Sequence, residues 1–207
     1  DPEGAPIEIS SDLGRRHISA WWFWQPMVDG FQLIDYDEDA GLDAEEWIDL
    51  LKLRIGKRQL ARVWLPHDAR ARTFSAPHSA VEQFIRAFGS ERVGISPQTK
   101  KAHSIDAARA VFDKCRFHRT LCAQGLAPLR AWSYEYDEER RQFSKEPRGD
   151  WAMDAADAFC EGAKVMRERV IALPKPKSHS LAVGVNTETM DEMWARHDRQ
   201  VGRRARI

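Results

Sequence analysis

Asp150, Asp154 and Asp157 fall within one Ala-rich stretch, Asp150-Trp-Ala-Met-Asp-Ala-Ala-Asp-Ala-Phe159. It has no Gly or Pro after Asp150 and reads as a helix start, with Asp150 as the N-cap. At ~100° per residue the three carboxylates share one side of the cylinder. Ala152, Ala155, Ala156 and Phe159 supply small or apolar surface for close packing. Like charges on one stripe repel, and a cation relieves that repulsion. A solvated acidic face explains the same pattern without chemistry, because the helix dipole favours acids near its N-terminus. A metal site requires further acids, on other elements, aimed at the same place.

Two more are positioned for that. Asp12 closes a first predicted strand, just before Leu13-Gly14, and Asp68 follows a fourth strand that ends at Pro66-His67. In open α/β sheets, sites lie beyond the carboxyl ends of parallel strands. If strands one and four are parallel neighbours, both carboxylates emerge at one rim and the helix can carry its acids across it. Oxygen ligands without a Cys/His set suit Mg²⁺ or Mn²⁺. Two such ions can activate a water and stabilise the leaving oxygen of a phosphodiester. The plain alternatives are a turn residue for Asp12 and a loop cap for Asp68. His67 is either a group that orients water beside Asp68 or a loop histidine without a task.

The elements that must hold these residues follow from periodicity. Ile7–Gly14, Ile18–Gln25 and Phe31–Tyr36 read as strands joined by tight turns, an antiparallel meander. Leu42–Ile55 has helical spacing, with Asp43 as N-cap. Ala61–Pro66 is the fourth strand, Ser79–Phe88 a helix closed by Gly89, and Arg92–Ser96 a short strand. Ser104–Lys114 and Thr120–Trp132 are helices flanking a brief extended piece at Cys115–His118. Ser133–Arg148 alternates aromatic and charged residues and reads as an exposed hairpin. The acidic helix runs from Asp150 to Val170, stopped by Pro174 and Pro176. This order predicts an α/β sheet with an antiparallel edge and helices on both faces. Residues 1–6 read as a linker, 7–172 as one domain, and 173–207 as a polar, basic tail containing a short helix at Thr187–Arg199.

Composition adds boundaries. The chain has 207 residues, with 32 acidic and 32 basic side chains, so no global field announces a nucleic-acid partner. No apolar run reaches membrane-spanning length. Three cysteines, an odd set, suit a reducing compartment. Cys115, His118 and Cys122 match no common structural zinc spacing and read better as packed residues. Trp21, Trp22, Phe23 and Trp24 read as the core of a central strand rather than as base-stacking groups. Candidate phosphate contacts are Arg15, Arg16, Arg70, Arg72, Lys100, Lys101, Arg140 and Arg141, each equally explicable as a solvated cation.

Asp12-Leu-Gly-Arg-Arg-His-Ile-Ser-Ala-Trp-Trp-Phe-Trp-Gln25, Ile34-Asp-Tyr-Asp-Glu38, Leu65-Pro-His-Asp68 and Asp150–Phe159 together resemble the nuclease part of large terminase subunits of tailed bacteriophages. The likeness runs in order over roughly residues 7–165. It implies an RNase H-like mixed sheet with a three-strand meander and an auxiliary hairpin. It implies a metal-dependent endonuclease that cuts concatemeric viral DNA during packaging, using two Mg²⁺ or Mn²⁺ ions. The family's acidic cluster maps to Asp12, Asp68 and Asp157, with Asp150 and Asp154 as further ligands. Asp-Ala-Ala-Asp-Ala also resembles the last helix of RuvC-type junction resolvases, which pairs Asp154 with Asp157. The chain departs from the family pattern at His17, where an acid is common, and at Asp154, where histidine is common. Large terminases carry an ATPase motor, and no Gly-x-x-x-x-Gly-Lys-Ser/Thr loop occurs here. The resemblance therefore implies the C-terminal part of a longer protein, partnered by double-stranded DNA, an ATPase domain, a portal and a small terminase subunit in the host cytoplasm. A junction resolvase and a non-cutting domain that binds DNA or a portal are the alternatives.

Overall fold

The structure is a computed structural model that describes residues 5–14, 18–71 and 77–172. Contacts divide the chain into Asp1–Leu173 and Pro174–Ile207, and the described residues all belong to the first unit. The expected tail and its short helix lie outside the described residues.

β1 (Ile7–Asp12), β2 (Ile18–Met27) and β3 (Gly30–Ala40) form the expected antiparallel meander, with Ile9 opposite Phe23 and Trp22 opposite Tyr36. α1 (Ala44–Ile55) begins at a full capping box. The Asp43 carboxylate accepts from Glu45 and Glu46 N–H, and Glu46 reaches back to Asp43 N–H. β4 (Leu60–Leu65) returns parallel to β1, and a 3₁₀ turn follows at His67–Arg70. α2 (Ala80–Phe88) is capped by Ser79 and closed by Gly89. β5 (Val93–Ile95) adds to β4, α3 spans Lys101–Phe112, and β6 (Cys115–Phe117) adds to β3. α4 (Ala123–Ala131) is shorter than the pattern suggested. β7 (Tyr134–Asp137) and β8 (Gln142–Pro147) make the separate hairpin, and α5 (Met153–Ala172) closes the fold.

The sheet order is β5-β4-β1-β2-β3-β6. The meander is thus the centre of the sheet, not its edge. The edges are short parallel strands reached by helical crossovers. Hairpins are local and leave both flanks of a meander open for later strands, so sequence order alone does not place it. The central position explains the aromatic run in β2. Alternate side chains enter opposite cores, and all four aromatics at 21–24 are at most 1% exposed. Trp21 and Phe23 meet α1 and α2 through Trp47, Leu51 and Phe84. Trp22 and Trp24 meet α3–α5 through Val111, Ala155 and Phe159. A bulge at Ile34 shifts the β2–β3 register between Phe23 and Trp24. It lets Leu33 and Tyr36 enter the α5 core while Ile34 enters the α1 core.

No helix among the described residues is long and apolar enough to cross a membrane. The zinc reading is not assembled. The Cys122 thiol bonds Leu33 C=O at 3.2 Å and the Cys115 thiol bonds Val111 C=O at 3.4 Å. Burial pushes both thiols up to about 12, far from the thiolate a metal needs.

Candidate functional site

β1 and β4 are parallel neighbours, with Ile9 opposite Val63 and Ser10 opposite Trp64. Asp12 and the turn that carries Asp68 therefore leave the sheet at the same rim. α5 lies across the sheet with Ala152, Ala155, Ala156 and Ala158 buried beneath it and Asp154 and Asp157 half-buried along its side.

Three hydrogen bonds fix where that helix sits. Trp22 Nε1 donates to Ala155 C=O at 2.9 Å, and Ser10 Oγ donates to Ala158 C=O at 2.8 Å. Trp24 Nε1 donates to the same Ser10 hydroxyl at 2.9 Å. The bonded carbonyls alternate with the acids along the helix, so the sheet holds Asp154 and Asp157 through the backbone between them. Close approach is possible because residue 162 is glycine. A Cβ there would stand 2.6 Å from Ser10 Oγ and 2.6 Å from the Trp24 ring. Farther along, buried Glu8 accepts from Trp64 Nε1 at 2.7 Å and is bonded by Arg169.

The acids share one electrostatic environment. Burial, and then the charges of Asp157, Asp154, Glu161 and Asp68, push the Asp12 carboxyl up to about 7. Burial also raises Asp157, against the opposing hydrogen bond and charge of Lys101 and the charge of Lys164. Asp68, Asp154 and Asp157 all lie near enough to Asp12 for their charges to act on its carboxyl, with Asp68 itself exposed. Asp150 is exposed, one turn ahead of the helix proper, and its carboxylate accepts from Ala152 N–H at 3.0 Å. The helix begins at Met153 because Asp150 closes a turn of its own first, through Met153 N–H to Asp150 C=O.

Glu161 is the member the sequence reading missed. Its signal was present, since it follows Asp157 by four residues and continues the same stripe. It bonds the Ser96 hydroxyl beyond β5 and Lys164 Nζ at 2.7 Å. His67 is exposed in the turn before Asp68. Arg70 and Lys100 are exposed, whereas Lys101 is bonded to Asp157. Arg140 and Arg141 are exposed in the β7–β8 turn, with Arg140 pairing to Asp137 at 3.7 Å. Arg15, Arg16, His17 and Arg72 lie outside the described residues.

Among the described residues, no three His, Cys, Asp or Glu side chains stand close enough to hold an ion as placed. The chemistry of the set nevertheless fits a hard divalent cation. It is made of carboxylate oxygens, and Asp12 sits half-buried under the influence of four like charges that a cation would offset.

No family model matches the chain, and no curated protein matches it. Solved structures do. The P22 large terminase nuclease domain is 19% identical at a TM-score of 0.54, covering 84% of this chain and 89% of that one. The nuclease domain of the SPP1 large terminase, with bound Mn, is 12% identical at 0.54, covering 79% and 86%. The nuclease of the large terminase from thermophilic phage G20c, with bound magnesium, is 11% identical at 0.52, covering 79% and 82%. A large terminase from another thermophilic bacteriophage gives a TM-score of 0.59 at 13% identity, and this chain spans 40% of its length. This chain has the fold of the nuclease domains of bacteriophage large terminases.

Proposed function

We propose that this chain is the nuclease part of a large terminase, a divalent-ion-dependent endonuclease that cuts double-stranded viral DNA during genome packaging in the host cytoplasm. The observation that carries the reading is that acids from two other elements, α5 and the turn after β4, act on Asp12 at the carboxyl rim of parallel strands. A structural acid on a sheet rim has no need of four like-charged neighbours. The neighbours in fold include nucleases solved with bound Mn and magnesium, which supports the same donor chemistry.

Asp12, Asp68 and Asp157 would hold two Mg²⁺ or Mn²⁺ ions, with Asp154 and Glu161 contributing from the same stripe. Such ions supply a nucleophilic water and charge stabilisation at phosphorus. The chain's own part is positioning. Asp12 is the acid on which the charges of the α5 acids and of Asp68 all act, and it would be the central ligand of the set. Trp22 and Ser10 keep the α5 acids at a fixed height and rotation above the rim. DNA would be met mainly through backbone phosphates, so binding weakens steeply with salt. Double-stranded DNA, an ATPase domain, a portal and a small terminase subunit are the proposed partners.

The test is nicking of supercoiled plasmid in Mn²⁺ by wild type and by Asp12→Asn, with Mn²⁺ binding followed by calorimetry. The reading expects cutting by wild type alone. Equal cutting by both removes Asp12 from the chemistry. Absence of Mn²⁺ binding with DNA affinity intact turns the chain into a binding domain. A strong preference for four-way junctions over linear duplex turns it into a resolvase.

A further inference from the structure

We propose that Lys101 is an exchangeable counter-ion of the acidic site: its ammonium engages Asp157 in the metal-free protein and is displaced from that carboxylate when a divalent cation binds. This rests on the nuclease reading and adds a component to it.

Lys101 opens α3, and Lys100 precedes it as a cap residue that makes no side-chain capping bond. Consecutive lysines at a helix start oppose the helix dipole, which favours acids there. The first turn of α3 holds no acid at all. A residue that breaks a local rule calls for a compensating contact, and the contact is Asp157, bonded by Lys101 Nζ. The same ammonium lies 5.2 Å from the centre of the Trp132 ring. That ring offers a second attachment, so leaving Asp157 does not mean leaving the site.

Lys164 shows what a permanent counter-ion looks like here. It bonds Glu161 at 2.7 Å and Pro97 C=O at 2.8 Å, and its side chain is 6% exposed. Lys101 has a side chain 33% exposed and, among the described residues, pairs with one carboxylate. An ammonium is a single charge on a flexible stem and neutralises one acid. A divalent ion carries twice the charge and can bind Asp157 and Asp12 together. The ion and Lys101 therefore compete for one oxygen set, and the more exposed, less anchored cation yields.

The experiment is Mn²⁺ calorimetry on wild type, Lys101→Met and Lys101→Arg. Removing the competitor should tighten Mn²⁺ binding by about threefold, the scale of a partly exposed ion pair. Lys101→Arg should stay near wild type. Unchanged or weaker binding in Lys101→Met overturns the proposal and makes Lys101 a structural pin. If Lys101→Met does not fold, Mg²⁺ titration of lysine-labelled wild type followed by NMR decides. The Lys101 side-chain resonances should move in step with ion occupancy, and resonances that stay fixed overturn the proposal. Wild type that binds neither ion overturns the nuclease reading together with this one, whereas wild type that binds with Lys101 unmoved overturns this one alone.

Discussion

Both faces of the sheet bury clusters of aromatic side chains, in different ways. On the α1/α2 face, Trp21 lies 5.3 Å from Trp47 and 5.6 Å from Phe84 between ring centroids, and neither indole N–H finds a partner among the described residues. On the α5 face, both indoles of β2 donate hydrogen bonds, one to the acidic helix and one to the serine that bonds it. The first face is held by contact, which is non-directional and tolerates small shifts. The second is held by contact plus bonds that fix one helix in rotation and height. The second face carries the helix with Asp154, Asp157 and Glu161. The difference separates stability, which any well-packed face provides, from placement, which needs directional bonds.

Phe84→Ala and Phe159→Ala probe that separation most strongly. Each should cost about 3–5 kcal/mol in urea unfolding. Only Phe159→Ala should also weaken Mn²⁺ binding per folded molecule. Equal loss of binding in both would erase the distinction between the faces.

Asp12→Asn tests the rim that the second face serves. The raised carboxyl keeps its proton in the folded state while the unfolded chain releases it, between pH 3.8 and about 7. The unfolded state binds fewer protons there, so stability falls as pH rises through that window. In chelator, wild type should have a lower Tm at pH 8 than at pH 5. Asp12→Asn should flatten the profile and regain no more than about 4 kcal/mol at pH 8. A wild-type Tm that rises with pH would show that Asp12 is not held among uncompensated acids.

Gly162→Ala forces α5 away from Ser10 and Trp24, an overpacking worth about 1–3 kcal/mol. It should cut plasmid nicking more than its stability loss explains. Trp22→Phe and Trp21→Phe remove similar volume, but only the former removes a hydrogen bond. The former should therefore lose about 1 kcal/mol more, and should alone weaken Mn²⁺ binding. The smallest effect is expected on the contact-held face. Arg54→Gln breaks pairs to Asp35 at 3.4 Å and Asp37 at 2.9 Å. Partial exposure limits the loss to about 1 kcal/mol or less, visible only as a small Tm change.

Local physics wrote much of this into the chain. The meander, the Asp43 cap, the Gly89 stop and the exposed hairpin depend on neighbours within a few residues, and each lies where the pattern puts it. The aromatic run of β2 announced a strand buried on both faces, and Asp12, Asp68, Asp154 and Asp157 could be singled out by type and place. Tertiary structure decided what depends on distant partners. It moved the meander from the edge to the centre, because flanking strands arrive only after long crossovers. It left Asp150 exposed in a turn ahead of α5 and put Glu161 among the charges that act on Asp12, because helix register is set by the sheet beneath it. It gave Lys101 to Asp157 across 56 residues of chain. The pH response of Asp12 is likewise invisible in the sequence, since it arises from burial and from charges that only folding brings together.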